Sequence, residues 1–454
     1  MLVMWPLLVI GFVLGAGTVF FVFRRPILGT YGYVLTLGLG ALLNLPFTEG
    51  GLKISTILVL FSFLMAFVRA LASRDRGFIP TLTGSSPHWL VVLIFCAMLI
   101  SLMNSRYISA SIAEIQRFVY CLSAYLLILL TVRTVERFRM VMALIVASGL
   151  LVSILGLLEG TVGNIYNYLG QKSLFGAPLD RSYIWIAPDR INGLIGDADL
   201  HGMYMGIIGL FAFFLYLTER RPWLKCIWLV TMATALVNII GAASRGAALA
   251  SLVAFVVFWI YVEMRNKWVK LSLALVSFTL ITSLMILLMP QLEIRRFYDP
   301  DVNAETTLNL REDNILIGLD MAKDHPLFGH GPDGFLKNYH RYRTHMKASA
   351  RRLPIKPLNA YMQALVEFGL VGFSLFVILT VVMLKSFLGL LKAAHGEDRY
   401  LIAVVFAVFC GYACFMNTTG VFVDLVYWSI VGLAGTLISI YHNRLPSKLV
   451  REST

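Results

Sequence analysis

Between Lys337 and Lys356 the chain carries Lys337, Arg341, Arg343, Lys347, Arg351, Arg352 and Lys356, with no acidic residue among them. Such a block attracts anions, and the planar fork of a guanidinium suits phosphate oxygens in particular. His325, His330, His340 and His345 lie within or just ahead of the block, and Glu367 follows it. Imidazole and carboxylate side chains can take a proton from a hydroxyl. Fixed arginines can stabilise the charge that gathers on a departing phosphate. The anions that fit are lipid phosphates, a pyrophosphate leaving group or an acidic sugar polymer. Plain contact with lipid headgroups is the simpler reading of the block.

Membrane helices must hold these residues in place. The chain has 454 residues, of which 58% are hydrophobic and only 14% charged, well below the charged share of a soluble domain. A spanning helix needs roughly 20 apolar residues, and about thirteen such runs can be marked. They lie near 2–23, 27–45, 53–72, 87–104, 112–132, 139–160, 198–218, 224–243, 246–264, 269–289, 359–386, 400–419 and 421–441. The expected fold is an all-α polytopic membrane protein with about 12–14 transmembrane helices. One membrane domain over 1–454 is expected, with a minor loop at 161–196 and a major one at 290–358 that contains short helices. The first run has no positive charge ahead of it, unlike a cleaved signal peptide. The cysteines, Cys96, Cys121, Cys226, Cys410 and Cys414, all fall in apolar runs without metal-ligand spacing.

Basic residues follow every odd-numbered span: Arg24 and Arg25, Arg74 and Arg76, Arg133 to Arg139, Arg220 to Lys225, Arg265 to Lys270, Lys385 and Lys392, and Arg444 to Arg451. By the positive-inside rule this puts the N-terminus outside, the C-terminus in the cytoplasm and both long loops outside. Nucleic acid is thereby an implausible partner for the basic block.

Under that topology, polar residues distant in sequence approach the same leaflet: Glu114, Arg117, Glu159, Asp197, Asp199, His201, Ser244, Arg245, Asn359, Glu367 and Asp424. Glu367 lies about 12 Å beyond Asn359 at roughly 1.5 Å per helical residue. Ionisable groups inside spans are functional candidates by default, although helix ends are wet in any membrane protein. His201 is expected to cap its span. Within the major loop, Leu308, Ile315, Leu319 and Ala322 recur at helical spacing, so a helix is expected from Thr307 to Lys323. Asp324-His325-Pro326 ends it, and Gly329, Gly331, Pro332 and Gly334 make a tight turn.

Four segments in this order resemble the O-antigen ligase and polysaccharide polymerase family, which has a C-type glycosyltransferase membrane fold. Arg190-Ile-Asn-Gly193 with Asp197 and Asp199 resembles its Arg-x-x-Gly segment. Ser244-Arg245-Gly246-Ala247 is similar to its Ser-Arg-Gly turn. Arg311 followed by His325-Pro326-Leu-Phe-Gly329-x-Gly331-x-x-Gly334-Phe335 resembles its loop signature, and Asn359-x9-Gly369-x-x-Gly372 its span-opening motif.

The resemblance implies transfer of a glycan from an undecaprenyl-pyrophosphate carrier to an acceptor hydroxyl, without metal or other cofactor, in the bacterial inner membrane. It implies that Arg245 and Arg311 hold the pyrophosphate, with Arg190 serving the same charge. Arg341, Arg343, Arg351, Arg352, His325 and Asn359 are further candidate substrate contacts. The ligases of the family have a histidine directly before the Asn359 position; Leu358 stands there in this chain and cannot take a proton. Glu367, His345 and His340 are the candidate bases in its place. Polymerisation of lipid-linked repeat units of an exopolysaccharide, capsule or O-antigen is the leading expectation, with chain-length regulator and export machinery as expected partners. Ligase-type transfer to a lipid or protein is the alternative. A lipid-linked oligosaccharide transporter is the alternative from another class, but midplane charges and two related halves are not visible.

Overall fold

A computed structural model describes residues 22–45, 52–72, 86–162, 190–262, 305–342 and 357–452. The expected spans near 2–23 and 269–289, and most of the 161–196 loop, lie outside these residues. The membrane bundle contains α1 Pro26–Thr36, α2 Ile54–Ala72, α3 Ser86–Ser101, α4 Ile108–Thr131, α5 Val135–Val162, α6 Ala198–Thr218, α7 Pro222–Gly241 and α8 Arg245–Tyr261. After two loop helices, α9 Glu305–Asp324 and α10 Gly334–Tyr342, it continues with α11 Ala360–Ala393, α12 Gly396–Phe415 and α13 Leu425–Glu452. Among the described residues, nine helices are long and apolar enough to cross a membrane; α1 and α8 are shorter apolar helices. The all-α polytopic expectation holds. The one exception among the described residues is a two-residue antiparallel bridge, Asn44–Leu45 with Leu52–Lys53.

Helix starts are set by local chemistry. Pro26 and Pro222 open α1 and α7, where a missing N–H costs nothing. Asp197, Ser244 and Asn359 cap α6, α8 and α11 with their side-chain oxygens. His201, expected as a cap, instead hydrogen-bonds Asn238 Oδ1 at 3.0 Å inside the bundle. Asp197 already accepts the Leu200 N–H at 2.9 Å and leaves no cap to make.

Apolar surface alone does not hold helices together in lipid, so small residues and polar pairs mark the seams. A Cβ at Gly411 would lie 2.7 Å from Ala254, which shows how closely α12 and α8 approach. Tyr33 and Ser429 bond at 2.6 Å, Thr30 and Thr131 at 2.7 Å. His88 bonds Tyr125 through Nδ1 and Ser439 at 3.1 Å through Nε2, tying α3, α4 and α13. Helix α13 is the most buried span among the described residues, and Trp428 with Phe118, Phe422 and Phe376 forms an aromatic core beside it.

The span that begins at Asn359 is not continuous. At Gly369 the backbone turns to φ 67°, ψ −170°, which splits α11 into Ala360–Phe368 and Leu370–Ala393. An apolar run with glycines at 369, 372 and 389 gives no sign that the helix breaks at the first of them. Loop helices α9 and α10 lie over the first piece through a small core of Ile317, Met321, Phe335, Tyr339 and Val366.

Candidate active site

The break in α11 is closed by the glycine-rich loop. A helix that stops inside a bundle leaves carbonyls and N–H groups without partners. Here the Val366 carbonyl accepts from His330 N at 2.9 Å and the Glu367 carbonyl from Gly331 N at 3.0 Å. On the other side, Leu370 N donates to Pro326 O at 2.8 Å and Val371 N to Leu327 O at 3.2 Å. The two motifs, separated by a basic segment, are halves of one backbone ladder. Gly329 and Gly369 are required by it: both have positive φ, and a Cβ at Gly329 would sit 2.5 Å from the Glu367 carbonyl, one at Gly369 on that of Leu327. The loop is also pinned to the ends of α3 and α4. Asn104 Nδ2 donates to Gly329 O at 3.1 Å, and Ser111 Oγ to Pro332 O at 2.6 Å.

Docking α9 on the first piece of α11 leaves a small open cleft lined by Arg311, Asn314, Ile315, Phe335, Pro357, Leu358, Asn359, Met362 and Asn417. Arg311 and Asn359 are therefore brought together, and Leu358 faces the same space. Asn359 Oδ1 is occupied by Tyr361 N and Met362 N at 2.9 and 3.1 Å. Its amide nitrogen has no such duty among the described residues. Arg311 makes no ion pair among the described residues. A guanidinium among side-chain amides, with one apolar wall, can hold a phosphate and the sugar attached to it.

The Ser-Arg-Gly turn lies next to this cleft. Gly246 packs on Thr418, the neighbour of cleft residue Asn417, and Ala360 N donates to Met416 O at 2.8 Å. Arg245 is the first residue of α8; its side chain is exposed and in no ion pair among the described residues. Arg190 differs from both. Its Nε donates to Ala242 O at 2.7 Å and its Nη2 to Asp199 at 2.5 Å. It is thus engaged in fixing the turn that carries Arg245. Buried Glu159 supports the same strap, accepting Gly193 N at 2.7 Å. Burial, followed by the nearby Asp199 charge, raises the Asp197 carboxyl above its ordinary range.

The other predicted residues are spread more widely. Glu367, 1% exposed, accepts from Gln363 Nε2 at 3.1 Å and does not line the cleft. His340 and Arg341 are exposed on α10, away from its buried face of Phe335, Asn338 and Tyr339. His325 is half-buried, with its ring against His330 at 4.5 Å. His345, Arg343, Arg351 and Arg352 lie outside the described residues. Asp424 caps α13 through Tyr427 N at 2.8 Å and accepts from Tyr412 OH, both ordinary structural duties. Sequence reasoning had not singled out the amides Asn314 and Asn417, and it had placed His330 only among the loop histidines, not among the candidate site residues. Only its place between Gly329 and Gly331 could have drawn attention to it.

His330 is 3% exposed. Its Nε2 lies 2.8 Å from the Met321 carbonyl; since a carbonyl only accepts, this nitrogen carries the proton. Burial holds the imidazole below its ordinary pKa, with His325 and Arg106 pushing the same way and the Met321 bond and Asp324 opposing.

Residues 230–377 match the family model described as O-antigen ligase. The match runs from within α7 to about the middle of α11 and so contains Arg245, Arg311, the glycine-rich loop and Asn359. It bears out the resemblance read from these motifs. No curated protein matches the chain closely.

Proposed function

We propose that this chain, whose residues 230–377 match the O-antigen ligase family model, is a glycosyltransferase that polymerises undecaprenyl-pyrophosphate-linked repeat units. The work is done at the periplasmic face of the inner membrane. The observation that carries the reading is the cleft between α9 and α11. There Arg311, without an ion-pair partner among the described residues, faces Asn359 at the mouth of a membrane helix, with the Arg245 turn alongside. A glycosyl pyrophosphate leaves with its charge increasing, and two unneutralised guanidinium groups stabilise that charge without metal. The amides of Asn314, Asn359 and Asn417 orient the sugar next to the phosphate.

Leu358 lines this cleft where the family's ligases have histidine, so the acceptor proton goes elsewhere. The candidate bases are Glu367, His340 and His345. Leu358 favours polymerase over ligase, because polymerases of the family vary more in this motif. The test is to incubate the purified protein with a lipid-linked repeat unit. Ladder growth supports the polymerase, and a single transfer to an acceptor supports the ligase. Arg311→Ala is expected to lower turnover by about 10²- to 10³-fold, the usual effect of removing a preorganised charge-stabilising donor. Alanine at Glu367, His340 and His345, one at a time, identifies the base. Normal turnover in all three variants would exclude every candidate.

A further inference from the structure

Two helix ends meet at His330. Helix α9 ends at Asp324, so the Met321 carbonyl is one of the last four without a partner in its own helix. The His330 imidazole supplies that partner through Nε2–H. The first piece of α11 ends at Phe368, and the Val366 carbonyl is left over in the same way. The backbone N–H of His330 supplies that one. A single buried residue therefore caps α9 with its side chain and broken α11 with its backbone. These are the two helices whose facing residues, Arg311 and Asn359, make the cleft. They also touch where a Cβ at Gly318 would lie 2.6 Å from Met362 Sδ.

The geometry points to His330 as a positioning residue: it sets the seating of the arginine-bearing helix on the helix that opens the cleft. This rests on the functional reading only for its effect on turnover, since the seating can be measured independently. His330 is not in the cleft lining and takes no proton from the substrate. Its neutral Nε2–H is already committed to a carbonyl, and its ring is enclosed by His325 and Tyr342.

Three substitutions and two readouts test the inference. His330→Ala removes the bond to Met321. His330→Asn keeps a polar amide but is too short to reach that carbonyl. His330→Gln places its amide nitrogen near the position of Nε2 and can remake the bond. Seating is read by a disulfide between Gly318→Cys and Met362→Cys, mapped by mass spectrometry. Turnover is measured with a lipid-linked repeat unit. Alanine and asparagine are expected to reduce cross-link yield and to lower kcat by about 10- to 100-fold, as loss of positioning does. KM is expected to stay within about threefold, because no substrate contact is lost. Glutamine is expected to restore both readouts to near the parent values.

Parent-like cross-linking and kcat in the asparagine variant would overturn the inference. So would a glutamine variant as impaired as alanine while still monodisperse. A parent protein inert toward lipid-linked units, yet with this cross-link pattern, would overturn the functional reading alone.

Discussion

At the scale of single residues, charges that are paired separate from charges left available. Arg190 is used up on Ala242 and Asp199, whereas Arg245 and Arg311 have no ion-pair partner among the described residues. The motif arginines thus fall into one that builds and two that can bind. His330 belongs with the builders, and this makes a pH dependence predictable. Its folded pKa is below the ordinary 6.5 because burial disfavours the imidazolium. Between the folded value and 6.5 the unfolded chain binds more protons, so stability rises with pH in that window. The contribution is complete above pH 6.5 and is lost as pH falls through the folded value. The melting midpoint in detergent is therefore expected to fall from pH 7 toward pH 5, and to fall less steeply in His330→Gln. Equal slopes in the two proteins would remove His330 as a source of acid sensitivity.

Among the elements, the instructive one is α11. Its apolar run was legible as a span, and Asn359 as its opening, because length and hydrophobicity report on the solvent around a helix. The helix expected at 307–323 appears as Glu305–Asp324 for a similar reason, since apolar spacing and a following proline are local signals. The break at Gly369 was not legible, because its partner is a loop distant in sequence and the pairing is through backbone atoms. Glycines at both places look like turn residues until the ladder is seen. Substitutions in α11 separate the two kinds of glycine. Gly369→Ala puts a side chain into a conformation reserved for glycine, costing about 1–3 kcal/mol before its overlap with Leu327 is counted. Gly389 has open space around it, and alanine there is expected to be neutral or to stabilise by up to about 1 kcal/mol. Thermal unfolding of the two variants should show a clear loss for position 369 alone. Similar midpoints would mean that the break is not held as described.

For the molecule as a whole, the candidate groups gather at one end of the bundle. The starts of α4, α6, α8, α11 and α13, with the loop helices, meet there through the contacts of Ser111 with Pro332, Arg190 with Ala242 and Asp199, Gly246 with Thr418, Ala360 with Met416 and Asp424 with Tyr412. The other end has a different character. Arg139 pairs with Glu397 at 2.9 Å, Tyr441 with Asp398 at 2.6 Å, and Arg399 donates to Tyr261 O at 3.1 Å. Basic residues along the chain follow the odd spans at this second end, so by the positive-inside bias it is expected to face the cytoplasm. A lipid-linked glycan carried across the membrane would then meet the cleft on the far side. Single cysteines at Lys323, 76% exposed on α9, and at Glu397 test the orientation. In intact spheroplasts a membrane-impermeant maleimide is expected to label Lys323→Cys, and to reach Glu397→Cys only after permeabilisation. The reverse pattern would place the cleft in the cytoplasm, where a nucleotide-linked donor would replace the lipid-linked one. The function proposed for Arg311 and Arg245 would then have to be rebuilt around it.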